Sequence, residues 1–139
     1  MVEDSRENLL RVINYPSLDN SNTHGSIRDQ EHADINLITL LISATEPGLQ
    51  VKNIKGKWIN VRSNTGELVV NIGDMLQECS GGYFPSTIHR VVNPRDKDKH
   101  KPRLSMPVFI HPSDDVVLSE KYTAKSYLDE RLKEIGLKQ

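Results

Sequence analysis

Apolar residues occur along this chain in short runs, which turn-forming residues interrupt at fairly regular spacing. Runs of this length and spacing are typical of β-strands in a sandwich or barrel. Two glycine pairs, Lys55-Gly56 and Thr65-Gly66, supply the positive φ that tight hairpin turns require. The pattern predicts a mainly β jelly roll or sandwich. The predicted strands are Leu9–Tyr15, Asn36–Ser43, Leu49–Asn53, Trp58–Val61, Glu67–Ile72, Thr87–Val92 and Arg103–His111.

Two segments depart from the strand pattern and predict helices. Asp74 is a candidate N-cap for one helical turn over Met75–Cys79, which Ser80-Gly81-Gly82 ends. Thr123 precedes an amphipathic segment with apolar residues on one face and Gly136 at its end, so a C-terminal helix is predicted at about 123–135.

Length and charge exclude several classes of protein. The 139 residues predict a single domain over 1–139. A net charge of −1 offers no general attraction to a nucleic acid, and the charged run at 95–101 is expected to be a solvated loop. No apolar run is long enough to span a membrane, and the N-terminus lacks the features of a secretory signal. One cysteine, Cys79, favours a reducing, cytoplasmic location.

Three side chains form a candidate metal site. His32 and Asp34 lie at i and i+2, so in an extended segment an imidazole and a carboxylate point the same way. His89 interrupts an otherwise apolar strand and supplies a third donor. Two histidines and one carboxylate on one face of a metal form the triad of non-haem Fe(II) oxygenases, which leaves coordination positions open. A surface turn for His32-Ala33-Asp34 and a buried structural role for His89 are the alternatives.

Arg103 and Ser105 form a candidate carboxylate-binding pair. They share one face of a strand, where a guanidinium and a hydroxyl can bind a carboxylate together. If strands 87–92 and 103–111 pair as a hairpin, both residues lie on the same face as His89. A dicarboxylate that reaches the metal at one end and Arg103 at the other would satisfy both groups.

The opposite face of these two strands is almost wholly apolar. Its residues are Ile88, Arg90, Val92, Leu104, Met106, Val108 and Ile110. Such a face needs a covering layer, and a helix of about three turns covers only part of it. We therefore expect a homodimer, or a further N-terminal region that this chain lacks.

The quoted motifs, His32-x-Asp34, His89-Arg90-Val91-Val92-Asn93-Pro94 and Arg103-x-Ser105, resemble those of the isopenicillin N synthase-like Fe(II)/2-oxoglutarate-dependent oxygenases. The resemblance runs from about residue 9 to residue 112. It implies a double-stranded β-helix in which His32, Asp34 and His89 hold Fe(II). It also implies that Arg103 and Ser105 bind the distal carboxylate of 2-oxoglutarate and that Tyr15 contacts the same co-substrate. Members of the family are usually about twice this length.

The resemblance implies an oxygenase that oxidises an unidentified small molecule, by hydroxylation, with O₂ and with decarboxylation of 2-oxoglutarate to succinate. Two alternatives stay open at this point. One is a shortened member that binds metal or a partner without turnover. The other is an oxidase like isopenicillin N synthase, which does not use 2-oxoglutarate.

Overall fold

The computed structural model describes residues 1–18, 27–42, 44–62, 64, 66–93 and 101–138. The predicted turn at 63–66 lies partly outside these residues, and the predicted charged loop at 95–101 lies almost wholly outside them. Within the described part, nine strands and two helices follow in the order β1 to β7, α1, β8, β9, α2. All strand pairs there are antiparallel, which confirms the mainly β jelly roll with a C-terminal helix.

One sheet is built around the longest strand, β9 (Arg103–Ile110). Strand β9 pairs with β4 (Ile38–Ile42) along one edge, and β4 pairs with β7 (Leu68–Ile72). The other edge of β9 pairs with β1 (Leu9–Leu10) near one end and with β2 (Ile13–Tyr15) near the other. The single predicted strand over Leu9–Tyr15 is thus two short strands on one partner.

The second sheet contains β3 (Asp29–His32), β8 (His89–Val91), β5 (Leu49–Lys52) and β6 (Trp58–Asn60), in that order. Strands β5 and β6 form the hairpin predicted around Gly56, which has φ of +74°. The strands at 87–92 and 103–111, considered above as a possible hairpin, do not pair. Strand β8 pairs with β3 and β5, whereas β9 pairs with β1, β2 and β4, so the two lie in different sheets.

The main apolar core includes residues of both helices. Helix α1 (Asp74–Cys79) has Gly73 at its N-cap, so the prediction of Asp74 as the cap is wrong and Asp74 lies in the first turn; helix α2 (Ala124–Glu134) begins after Thr123. Thr123 caps α2: its hydroxyl accepts from the Ser126 backbone N–H, and the Ser126 side chain reaches back to the Thr123 N–H. The buried core residues are Leu37, Met75, Leu118, Ala124 and Tyr127. Neither helix of the described chain is long and apolar enough to cross a lipid bilayer.

The outer faces of the two sheets differ in polarity. On the β9 sheet, Leu10 and Leu40 both lie opposite Val108, and Leu40 also lies opposite Val70, so one apolar row crosses four strands. Val70 and Leu68 are 57% and 58% exposed. On the β8 sheet, Arg90 Nε donates to Gln50 Oε1 at 2.8 Å, and Gln50 Nε2 donates to Asn60 Oδ1 at 2.8 Å. Of the residues in the predicted apolar face, those of β9 therefore belong to an apolar surface, whereas Arg90 belongs to a polar row on the other sheet.

Candidate metal centre

The side chains of His32, Asp34 and His89 converge at one point. Each offers one donor atom, and these three atoms lie within 4.8 Å of one another. His32 Nε2 and His89 Nε2 lie 3.8 and 3.7 Å from Oδ1 of Asp34. The imidazoles meet because His32 and His89 are direct partners in the β3–β8 ladder, which puts the ring centroids 4.3 Å apart. Two imidazole nitrogens and one carboxylate oxygen fit a divalent ion such as Fe(II).

The backbone fixes which nitrogen of each histidine faces the site. His32 Nδ1 lies 2.8 Å from the Gln30 carbonyl, and His89 Nδ1 lies 2.9 Å from the Thr87 carbonyl. A carbonyl oxygen only accepts, so each Nδ1 carries the proton and donates it. The lone pair of each Nε2 is therefore directed at the site, as is usual for metal-bound histidine.

Asp34 is held through its other carboxylate oxygen. Oδ2 accepts hydrogen bonds from Thr39 Oγ1 at 2.6 Å and from Asn71 Nδ2 at 2.9 Å. Thr39 and Asn71 face each other across the β4–β7 pair, and the Thr39 hydroxyl accepts in turn from Asn36 Nδ2 at 2.9 Å. With Oδ2 engaged on one side, Oδ1 is left to face the two imidazoles.

The backbone of Asp34 is anchored by a close crossing with the start of α1. The Asp74 N–H donates to the Asp34 carbonyl at 2.8 Å, and the Met75 N–H donates to the Asn36 carbonyl at 3.1 Å. A Cβ at Gly73 would lie 2.1 Å from that same Asn36 carbonyl oxygen, so only glycine allows this approach. The sequence Gly73-Asp74 thus positions Asp34 from a distant part of the chain.

Arg103 lies at the base of the same cavity with an unused donor. Its side chain is 2% exposed; Nε donates to the Glu46 carbonyl at 2.9 Å, and Nη1 is buried without a partner in the part of the chain that the structure describes. Burial lowers the pKa of the Arg103 guanidinium, which is nevertheless always charged in proteins. A buried, charged donor without an acceptor is costly, and a ligand carboxylate would satisfy it.

Ser105 and Tyr15 lie beside Arg103. Ser105 is two residues further along β9 and buried, and Tyr15 is the direct partner of Arg103 in the β2–β9 ladder. The Arg103 guanidinium carbon lies 5.4 Å from the centroid of the Tyr15 ring. The Tyr15 hydroxyl donates to Asp29 Oδ2 at 3.4 Å, and burial, reinforced by Asp29, raises the pKa of this phenol.

All six residues singled out from the sequence line one cavity between the two sheets: Tyr15, His32, Asp34, His89, Arg103 and Ser105. They meet across the cavity rather than along a hairpin, because the inward faces of both sheets point into it. Thr39 and Asn71 were not assigned a role from the sequence. Their signal was available, since each is a polar residue at an inward position of an otherwise apolar strand.

A family model and a known protein are both similar to this chain. Residues 7–112 match the family model of the 2OG-Fe(II) oxygenase superfamily. Homoarginine-6-hydroxylase 2-ODD-C23 of Glycine max is 36% identical over 123 residues, covering 85% of this chain and 36% of that protein.

Two solved structures are similar over most of the chain. A candidate oxygenase from Shewanella oneidensis is 55% identical with a TM-score of 0.87, covering 99% of this chain and 50% of that one. A full-length protein of Neurospora crassa, solved in complex with alpha-KG, is 33% identical with a TM-score of 0.80, covering 91% of this chain and 44% of that one. The chain thus spans between about a third and a half of the length of these proteins.

Proposed function

Since the chain belongs to the 2OG-Fe(II) oxygenase superfamily, we propose that it is the catalytic β-helix of an Fe(II)- and 2-oxoglutarate-dependent oxygenase. The reaction proposed is oxidation of a small molecule by O₂, by hydroxylation, coupled to decarboxylation of 2-oxoglutarate to succinate. One observation carries the proposal: the His32, Asp34 and His89 donors line the same cavity as Arg103, whose Nη1 has no partner among the described residues.

The residues have separate roles in this proposal. His32, Asp34 and His89 hold Fe(II), whose open coordination positions supply the oxygen chemistry when it is bound. Arg103 and Ser105 bind the distal carboxylate of 2-oxoglutarate, and Tyr15 contacts the same molecule. Thr39 and Asn71 orient Asp34. The apolar cavity walls, such as Leu41 and Val91, exclude water from the reacting groups.

The first test is an anaerobic titration of the purified chain with Fe(II) and then with 2-oxoglutarate. We expect the visible charge-transfer band of an iron–oxoacid chelate to appear on the second addition. Binding of iron without the band would refute the co-substrate assignment. Absence of iron binding would refute the metal centre.

The Arg103→Ala variant separates this proposal from an oxidase that does not use 2-oxoglutarate. We expect the variant to bind Fe(II) but to need a far higher 2-oxoglutarate concentration for the band. Succinate release coupled to 2-oxoglutarate loss separates an enzyme from a metal-binding protein without turnover. Neither alternative is favoured, because an oxidase or an inert remnant leaves the buried Nη1 of Arg103 unexplained.

We further propose that residues 1–139 form one domain of the isopenicillin N synthase-like branch, located in the cytoplasm. Support for that location comes from the single cysteine, Cys79, which is unpaired. The net charge of −1 and the absence of an aromatic platform in the sequence of the basic loop favour a small-molecule substrate over a nucleic acid or a membrane.

The apolar outer face of the β9 sheet supports one more proposal, which concerns partners. We propose that Leu68, Val70 and their neighbours are covered in the working protein, either by a second copy of this chain or by additional polypeptide. Exposed apolar residues in direct register across four strands are what such a contact requires.

A further inference from the structure

A second cavity opens beside the metal-binding cavity. The two share five lining residues, Arg11, Ile13, Tyr15, Asp29 and His32. The outer cavity adds Arg28 and Gln30. A molecule bound in the outer cavity would therefore lie next to His32, with one side facing solvent.

Arg11 brings a positive charge to this junction. It lies in the short link between β1 and β2, where its N–H donates to the Pro107 carbonyl at 3.0 Å. Arg11 lines both cavities together with Ile13 and Tyr15. Within the described ranges no carboxylate forms an ion pair with Arg11.

Arg28 brings a second charge, and part of its guanidinium lacks a partner. Nη2 donates to the Pro16 and Lys101 carbonyls at 3.3 and 3.1 Å, whereas among the described residues Nε and Nη1 are buried and unpaired. Its guanidinium carbon lies 5.9 Å from the centroid of the Tyr15 ring, the same ring that Arg103 approaches. The two guanidinium groups carry like charges near one ring and repel each other. An anion bound in the outer cavity would reduce that repulsion.

The charges around the two cavities do not balance. In the proposed function, Fe(II) and Arg103 are matched by Asp34 and the 2-oxoglutarate dianion, so the inner cavity is neutral when loaded. The outer cavity has two arginines and one acid, Asp29, whose Oδ2 already accepts from the Tyr15 hydroxyl. One positive charge is left over beside the site of oxidation.

We propose that the substrate carries an anionic group, most simply a carboxylate, which Arg11 and Arg28 bind in the outer cavity. This inference rests on the proposed function, because it assigns the outer cavity to the substrate. Guanidinium groups bind carboxylates through paired, charge-assisted hydrogen bonds, so the anion would orient the rest of the molecule toward His32 and the metal. The substrate class is thus small organic acids rather than neutral compounds.

The test compares matched acid and amide pairs on the full chain. Acetate and acetamide, benzoate and benzamide, and phenylacetate and phenylacetamide are titrated against the chain loaded anaerobically with Fe(II) and 2-oxoglutarate, with dissociation constants from ligand-observed NMR. We expect the best acid to bind at least about tenfold more tightly than its amide. Arg11→Gln removes that preference, whereas Arg6→Gln, an exposed arginine outside both cavities, retains it.

Arg28→Gln serves as the second variant, with Arg28→Lys as its charge-retaining control. Because Arg11 is exposed, its variant stays informative even if loss of the Arg28 hydrogen bonds prevents folding. Equal affinity for acids and amides, or no binding of any acid, would overturn the inference. So would an acid preference that survives Arg11→Gln.

A parallel titration uses metal-free Arg103→Gln protein, in which the co-substrate arginine cannot bind the acids. An acid preference there, without a charge-transfer band in the wild type, would retain the anion site and reject the proposed function. A charge-transfer band in the wild type without an acid preference would retain the proposed function and reject the anion site.

Discussion

Asp34 illustrates how a single residue is specified by several others. Its two carboxylate oxygens have different surroundings, since Oδ2 is bound by Thr39 and Asn71 and Oδ1 faces the imidazoles. A carboxylate free to rotate would exchange these oxygens. Thr39 and Asn71 are therefore positioning residues for the atom proposed to bind the metal.

Removal of either donor is expected to weaken metal binding without abolishing it. Thr39→Val and Asn71→Ala should each lower Fe(II) affinity by about 10- to 100-fold, as is usual for residues that orient a ligand. Thr39→Ser keeps the hydroxyl and should have the Fe(II) affinity of the wild type. If Thr39 acted only through its methyl group, Thr39→Ser would lower that affinity as well. Isothermal titration under anaerobic conditions measures the effect, with Asn60→Ala on the outer face of the other sheet as the matched control.

Loss of a ligand itself should have a larger effect than loss of a positioning residue. His89→Ala removes one of three donors, so tight Fe(II) binding and the charge-transfer band should both disappear. An unchanged iron affinity in this variant would show that the triad is wrongly assigned.

At the scale of elements, the crossing of Gly73 over Asn36 ties α1 to the segment that bears Asp34. A methyl group at Gly73 would force the Asn36 carbonyl to move, because the two atoms would lie 2.1 Å apart. Gly73→Ala is expected to lower the free energy of unfolding by about 1–3 kcal/mol, the usual range for overpacking. Chemical denaturation measures this.

Gly56→Ala provides the comparison for that variant. A Cβ at Gly56 would meet no atom within 4 Å, so its cost comes only from a φ of +74° and should be smaller, about 1 kcal/mol. Iron affinity should fall in the Gly73 variant and stay unchanged in the Gly56 variant.

Helix α2 depends on its N-terminal cap. Thr123→Ala removes the hydroxyl that accepts from the Ser126 N–H, and we expect a loss of about 1 kcal/mol. Thr123→Ser should retain most of the stability. Equal melting temperatures for the wild type and the alanine variant would contradict a stabilising role for the cap.

Local signals in the sequence predicted most strands and both helices, because alternation, glycine turns and the Thr123 cap act over a few residues. The hairpin considered for β8 and β9 does not form, since partners in a jelly roll are distant in the chain and nothing local identifies them. Strand β3 was missed because Asp29–His32 has no apolar alternation. The six candidate residues nevertheless line one cavity, since inward-facing parity holds in whichever sheet a strand lies.

At the scale of the whole molecule, one outer face is apolar and the other is polar. Arg90 lies across the Trp58 ring, with its guanidinium carbon 4.1 Å from the centroid, and belongs to a hydrogen-bonded row with Gln50 and Asn60. That polar face is hydrated at little cost, whereas the apolar face that contains Leu68 and Val70 is suited to a contact with another protein surface.

Charge on the apolar face should therefore suppress association of the isolated chain. Val70→Lys is expected to shift the chain toward monomer in sedimentation velocity, with little loss of stability because Val70 is more than half exposed. Asn60→Lys adds the same charge to the polar face and should leave the distribution unchanged. An identical distribution for all three proteins would argue against the apolar face as a contact between copies.

The direct pairing of His32 with His89 also bears on how the chain folds. The two imidazoles come from segments far apart in sequence, yet one antiparallel pair, β3 and β8, presents both. A divalent ion bound by that pair would act as a temporary cross-link, closing a long loop whose closure entropy otherwise slows folding. Refolding by dilution from denaturant should then be faster when the metal is present from the start than when it is added afterwards.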